Sequence, residues 1–221
     1  MPREARAVIM GGLHHVYGRG IEGRHIFWET RDYHIFLEKL KTLASVSDIS
    51  IASWCLVPDY FHLIVRVGKT PLAQFMRRLL TSYAIYYNRA YKRSGPLFGD
   101  RYGSRLMQDD PYFLEISRYM HLMPVHEGIV HDPMQYPFSS FREIVANSDL
   151  KIINQHEIDY LLGKGNEPRE KYRKFVYEGI EKDQSAWEPF KETRKNESIL
   201  GSARFATSSQ QKFFHTINPS S

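Results

Sequence analysis

Hydrophobic and polar positions change period several times along the chain, and each change marks an element. A run from Ala7 through Leu13-His14-His15-Val16-Tyr17 predicts a first strand that ends at Gly18-Arg19-Gly20. Ile35, Phe36, Leu40 and Leu43 then recur at helical spacing, predicting a helix from about Asp32, with Thr30 or Asp32 as its cap. Ser50 to Val57 and Phe61 to Val67 are β-rich runs split only by a short break at Pro58-Asp59, which predicts an antiparallel hairpin. Thr70-Pro71 opens a long helix whose apolar stripe is Leu72, Phe75, Met76, Leu79, Leu80, Tyr83 and Tyr87, with Thr70 as N-cap. After a loop at Gly95-Pro96, Arg101 to Gln108 reads as a short strand. Asp110-Pro111 starts another helix, Tyr112 to about Met123, with Pro124 as its stop.

The order β–α–β–β–α–β predicts an α+β fold, a ferredoxin-like sheet with both helices on one face, followed by the helix after Asp110. Beyond Val130 the pattern is less regular, with loops at His131-Asp132-Pro133 and Tyr136-Pro137 and an amphipathic helix over 168–182. These patterns divide the chain into a main unit over 1–143, a mostly helical extension over 144–207 and a tail over 208–221 that reads as frayed.

The 221 residues carry a net charge of +5, and its distribution changes the picture more than its size. Between Arg66 and Arg105 there are nine basic residues and one acid, Asp100, while the rest of the chain sums to −3. The basic positions are Arg66, Lys69, Arg77, Arg78, Arg89, Lys92, Arg93, Arg101 and Arg105, interleaved with Phe75, Tyr83, Tyr86, Tyr87, Tyr91, Phe98 and Tyr102. Cations neutralise phosphates and aromatic faces stack on unpaired bases, so the segment suits single-stranded or structured nucleic acid; a solvated helix face over core aromatics is the plainer alternative. The single Cys55 excludes an intramolecular disulfide framework and a multi-cysteine metal site, and suits a reducing, cytoplasmic setting. The longest apolar stretch, 49–67, is interrupted by Pro58, Asp59, His62 and Arg66, so no membrane span is expected.

Candidate chemistry is sparse. Alternation puts Phe61, Leu63, Val65 and Val67 on one face of their strand and Tyr60, His62, Ile64 and Arg66 on the other. His62 thus points away from the apolar face, either as a hydrogen-bonded surface or interhelical histidine or as part of a site. Glu115, Tyr119 and Met123 share one face of the later helix, where periodicity alone does not single out Tyr119. His14, His15, His121, His126 and His131 add imidazoles without a recognisable metal-ligand spacing, and no phosphate-binding glycine loop or G-x-S-x-G is present.

Several segments taken in order resemble the IS200-type single-tyrosine transposases of the HUH class, above all their REP-associated branch. They are His15-Val16-Tyr17-Gly18-Arg19-Gly20, the acid-initiated helix at Asp32, Trp54 to Val65, Tyr86-Tyr87-Asn88-Arg89, Ser94 to Tyr102, and Tyr119 to Val130. Ile199-Leu200-Gly201-Ser202 to Phe205 is similar to the longer members. The resemblance implies a ferredoxin-like core that takes hairpins of single-stranded DNA into a basic groove. It implies cleavage by a helix-borne tyrosine, leaving a 5′-phosphotyrosine link, with Mg²⁺ or Mn²⁺ on the scissile phosphate. Carried onto this sequence, Tyr119 matches the nucleophile and His62 the second histidine of the HUH pair. Tyr60 occupies the first histidine's position, and Met123 the position of the polar ligand one turn after the nucleophile. Arg19 joins the basic set Arg66, Arg77, Arg78, Arg89, Lys92, Arg93, Arg101 and Arg105 as expected DNA contacts.

Three readings follow. One is an active nuclease and strand transferase that uses Tyr119 with a metal on His62, helped by phosphate oxygens, water or Glu115. The second is a hairpin-DNA-binding relative whose metal site has decayed. The third is an RNA-binding ferredoxin-like domain, disfavoured because neither 50–57 nor 61–67 carries the basic/glycine/aromatic strand signature. A monomer and a homodimer are both compatible with the sequence.

Overall fold

Alternating side chains on four strands organise the molecule, here a computed structural model that describes residues 8–108, 112–146, 148–181, 199–200 and 209. In chain order they are β1 (Leu13–Arg19), β2 (Ser50–Val57), β3 (Tyr60–Arg66) and β4 (Gly103–Met107), and β1, β2, β3 and β4 form an antiparallel sheet in the order β2-β3-β1-β4. The two-residue strand β5 (Ile199–Leu200) extends the β4 edge in parallel. Helices α1 (Thr30–Ser45) and α2 (Leu72–Ala90) cover one face, the expected ferredoxin-like arrangement. Phe61 points to that face, 5.4 Å from Phe36 of α1, which in turn meets Tyr83 of α2 edge-on at 5.1 Å. Residues of opposite parity on β3 face α3 (Tyr112–His126), so the sheet is buried on both sides.

Several boundaries differ from the sequence pattern for local reasons. The first strand begins at Leu13, because Gly12 donates back to Ile9 across a turn with Gly11 at φ +79°. The N-cap of α1 is Glu29, neither Thr30 nor Asp32; Asp32 sits at N3 and accepts the Glu29 N–H at 3.0 Å in a capping box. Pro124 does not stop its helix. It lies in the last turn, where its missing N–H costs one bond, and α3 runs on to His126. The true stop is Gly128 at φ +70°, with Gly128 donating to Val125 and Ile129 to Pro124 in a Schellman closure. The strand expected over 101–108 is trimmed to Gly103–Met107, and the helix expected over 168–182 is α6 (Asn166–Tyr177).

Two short helices that the pattern did not resolve, α4 (Phe141–Val145) and α5 (Gln155–Leu162), tie the later residues to the sheet. Ser140 donates its N–H to Trp54 O, Asn154 to Ile51 O, and Arg66 pairs with Glu157 at 2.7 Å. Glu143 gathers the backbone N–H groups of Ile152 and Ile153 and the indole N–H of Trp54. The tail over 208–221 lies outside the described residues apart from Ser209. Among the described residues no helix is long and apolar enough to cross a membrane.

Candidate functional site

The strand register assembles a polar row in the middle of the sheet, on the α3 face. His62 on β3 pairs across with Cys55 on β2 and Tyr17 on β1, and Tyr17 pairs with Gly103 on β4. One step along, His15 of β1 lies opposite Arg105 of β4. His15 Nε2 and His62 Nδ1 are 2.7 Å apart, a buried imidazole–imidazole hydrogen bond; the His62 ring stacks with those of His15 and Tyr17 at 5.0 and 5.7 Å, and His15 and Tyr17 meet tilted at 5.3 Å. The Tyr17 ring can lie across β4 because residue 103 is glycine: a Cβ there would sit 2.2 Å from Tyr17 Cζ. The guanidinium of Arg105, fully buried, lies 5.4 Å from the centre of the Tyr17 ring.

Helix α3 closes the row from above. The half-buried Tyr119 presents its ring edge-on to His62 at 6.0 Å. Two turns later Glu127 receives a hydrogen bond from the Tyr60 hydroxyl. Arg19 sits over the Tyr60 ring at 5.3 Å and pairs with Asp59 at 3.4 Å, completing a rim at this end of β1 and β3.

Burial dominates the electrostatics. His15 is held neutral, its pKa well below the usual range, first by desolvation and then by the neighbouring His62 and Arg105. Desolvation, with Asp59 nearby, raises the Glu127 carboxyl to about 7 against the partial opposition of Arg19. Tyr60 therefore donates to a carboxylate that holds its charge less readily than an exposed one.

The donors do not fit the divalent ion that the resemblance implies. Mg²⁺ takes oxygen ligands in near-octahedral array and accepts thioethers poorly. Met123 is buried and offers sulfur, the Tyr60 hydroxyl is given to Glu127, and His62 Nδ1 is given to His15. Among the described residues no three His, Cys, Asp or Glu side chains come close enough to share a metal. Glu115, considered as a further ligand, pairs instead with Arg118.

The expected DNA contacts are divided between regions. Arg19 and Arg105 belong to the rim and floor of the row. Arg66 is on the same face but its guanidinium is committed to Glu157 and the Gly11 carbonyl, anchoring α5. Arg77 and Arg78 lie on the opposite side of the sheet, lining a groove between α1 and α2 with Glu38, Lys39 and Ile85. Arg89, Lys92 and Arg93 gather at the C-terminal end of α2, and Arg101 is exposed in the loop before β4. That loop lies beside β1 through Gly99 N–H to Arg19 O and a Gly20–Phe98 bridge.

Three members of the site carried no role in the sequence reading: His15, Tyr17 and Glu127. The signal for the first two was the alternation of β1, which puts them on one face; only the β1–β3 register shows that this is His62's face. Glu127 follows Tyr119 and Met123 at the same four-residue interval, hidden by reading Pro124 as a stop.

Residues 19–122, the stretch that holds β1's end, the hairpin and Tyr119, match the family model described as transposase IS200 like. No curated protein matches the chain in sequence. Among solved structures it is similar to the REP-associated tyrosine transposase bound to a REP hairpin, at 18% identity and a TM-score of 0.56, over 66% of this chain and 86% of that one. A weaker likeness, TM-score 0.39 and 15% identity over 53% of this chain and 95% of the other, is to a Deinococcus radiodurans structure ascribed to a transposase; it carries no weight for the fold. The stretch from Arg19 to Leu122, around which the remaining described residues pack, is the part of the chain that is similar to the IS200-like transposases.

Proposed function

We propose that this protein binds hairpin-forming single-stranded DNA on the α3 side of its sheet and cleaves it through Tyr119. The observation that carries the reading is the meeting of Tyr119 with the His15–His62 pair over a floor holding Arg105. The likeness to a transposase that binds a REP hairpin supports the choice of DNA. In the step proposed, the Tyr119 oxygen bonds to the phosphorus of a phosphodiester and passes its proton to His62. The P–O3′ bond breaks, the 3′ oxygen leaves as a hydroxyl after taking up a proton, and the 5′ phosphate stays on Tyr119. Attack by a 3′ hydroxyl on that link reverses the step and joins strands. Arg105 and Arg19 supply positive charge near the phosphate. Residues 1–143 make up the DNA-processing unit, and the described helices after it, α5 and α6, brace it.

The test is incubation of the full chain with a hairpin oligonucleotide in Mg²⁺, in Mn²⁺ and in chelator, followed by denaturing electrophoresis. A covalent adduct that Tyr119→Phe abolishes is the expected result; an adduct that survives in Tyr119→Phe removes Tyr119 from the reaction.

The Tyr60–Glu127 bond and the buried Met123 favour a second reading, a hairpin binder that no longer turns over. Hairpin binding without an adduct, with cleavage switched on by Tyr60→His plus Met123→Asn, selects that reading.

A further inference from the structure

Between β1 and α1 the chain runs through a loop whose backbone is held at nearly every residue, yet which displays an indole. Ile26 and Phe27 are buried, and both of their N–H groups donate to Pro58 O, at 2.7 and 3.0 Å. Tyr83 donates its hydroxyl to Ile26 O, and Tyr87 to His25 O at 2.9 Å. Trp28 donates its N–H to Asp32 at 2.9 Å, a carboxylate that also accepts from the hydroxyls of Tyr86 and Tyr91. Burial alone would push the Asp32 carboxyl up, but these donors hold it below the ordinary range, so the clamp is charged at neutral pH. On this fixed backbone the Trp28 side chain is left 61% exposed, its ring 4.7 Å from the exposed ring of His25 and tilted by 54°.

A single exposed apolar residue is ordinary. Here three further observations converge on it. Two aromatic rings adjoin rather than one. The C-terminal end of α2 brings a cation to the same place: Arg93 lies 5.9 Å from the centre of the Tyr87 ring, and Tyr87 is the residue whose hydroxyl is bonded to His25 O. Arg89, Lys92 and Arg93 belong to the segment that has no acid before Asp100. The exposed acids of the loop, Glu22 and Glu29, are each paired locally, to Arg24 in the loop at 3.3 Å and to Arg31 in the first turn of α1 at 3.8 Å. Finally, the loop is continuous with the site rim: Gly20 donates to Asp59 O, and Pro58-Asp59 leads directly into Tyr60.

We propose that Trp28 and His25 form a stacking platform for an unpaired nucleotide next to the DNA hairpin, with Arg93, Lys92 and Arg89 taking the adjoining phosphates. Bases within a duplex already stack on each other, so an outward ring face recognises an unpaired one, and cations beside it neutralise the backbone. The platform rests on the hairpin-DNA reading above and extends it from the α3 side of the sheet, past Arg19 and Asp59, to the start of α1.

Two oligonucleotides with one stem test it, a blunt hairpin and the same hairpin with a short unpaired flank on either end, titrated against the full chain by fluorescence anisotropy. Wild type is expected to bind the flanked hairpin more tightly, and Trp28→Ala to lose roughly 5- to 100-fold on it while keeping its affinity for the blunt one. Trp28→Phe, which keeps a π face, should retain most of the advantage. An unchanged preference in Trp28→Ala, an equal loss on both oligonucleotides, or no preference in wild type overturns the platform and leaves hairpin binding standing. Failure of wild type to bind either hairpin overturns the hairpin reading itself and the platform with it.

Discussion

His121 and His62 are both buried between the sheet and α3, and their surroundings are built on opposite plans. Every nitrogen of His121 has a partner: Nε2 meets the hydroxyls of Ser53 and Ser140 at 3.0 Å each, and Nδ1 meets Tyr172 at 2.9 Å. Tyr172 donates onward to Ser117, so one imidazole links β2, α3, the start of α4 and α6. His15 and His62 bond to each other, and His15 Nδ1 is buried without a hydrogen-bond partner. A satisfied buried network rigidifies its neighbours, whereas an orphaned buried nitrogen is a cost that folding alone does not explain. The difference separates a histidine that ties α3 to the sheet from a pair that faces Tyr119 of α3 with one nitrogen left over.

The largest effect that would break this contrast is on stability. His121→Ala should lower the unfolding free energy by about 3 kcal/mol, because it leaves a cavity and strands the hydroxyls of Ser53, Ser140 and Tyr172. A chemical denaturation series measures this, and a loss under about 1 kcal/mol would mean that the node is not the brace described.

Acid sharpens the same point. Burial lowers the pKa of His14 from 6.5 to about 4 and of His121 from 6.5 to about 3, and His15 also falls well below 6.5. Between those values and pH 6.5 the unfolded chain binds protons that the folded chain refuses. Stability is therefore full above the unfolded pKa and falls as pH drops through the window, by up to about 1.4 kcal/mol per pH unit for each histidine. Glu127 acts in the opposite sense, since its folded pKa of about 7 retains a proton that the unfolded carboxylate releases above 4.5. His121→Gln should make the decline between pH 6 and 4.5 shallower by about 1.4 kcal/mol per unit. Parallel slopes in wild type and variant would contradict it.

For the pair, the order of effects reverses. His15→Leu fills similar space and removes the orphaned nitrogen while stranding His62 Nδ1, so the two effects offset in part and stability should shift by less than about 1.5 kcal/mol. The adduct yield should fall about tenfold, as expected when a positioned base loses its orienting bond. A variant that destabilises as much as His121→Ala while leaving the adduct intact would place His15 with the scaffold. The smallest effect belongs to the far side of the sheet. Arg77→Ala with Arg78→Ala should change hairpin affinity by less than about twofold and leave its salt dependence unchanged. A flatter salt slope would return that groove to the DNA interface.

Local pattern carried most of the fold because strand alternation and helical spacing are properties of neighbours. It located the hairpin around Pro58-Asp59, the two apolar helices, His62 opposite the core face, and Tyr119 on a helix. It misjudged α3's end because Pro124 reads as a stop, whereas the αL closure at Gly128 decides where the helix finishes. It also treated the basic residues from Arg66 to Arg105 as one set. They are contiguous in sequence, but the fold puts Arg77 and Arg78 behind the sheet, Arg105 within it and Arg93 past the end of α2 over the Tyr87 ring.

By itself, then, the sequence determined the order of elements, the face on which His62 stands and the family that the order of motifs resembles. Only the tertiary structure decided who meets whom: His15 with His62 across 47 residues of chain, Tyr60 with Glu127 across 67, and Tyr87 with His25 across 62. Those meetings depend on cross-strand register and on the rotation of α3 and α2 over the sheet. Both are fixed by packing summed over the whole core rather than by any residue's neighbours, which is why period and spacing alone do not contain them.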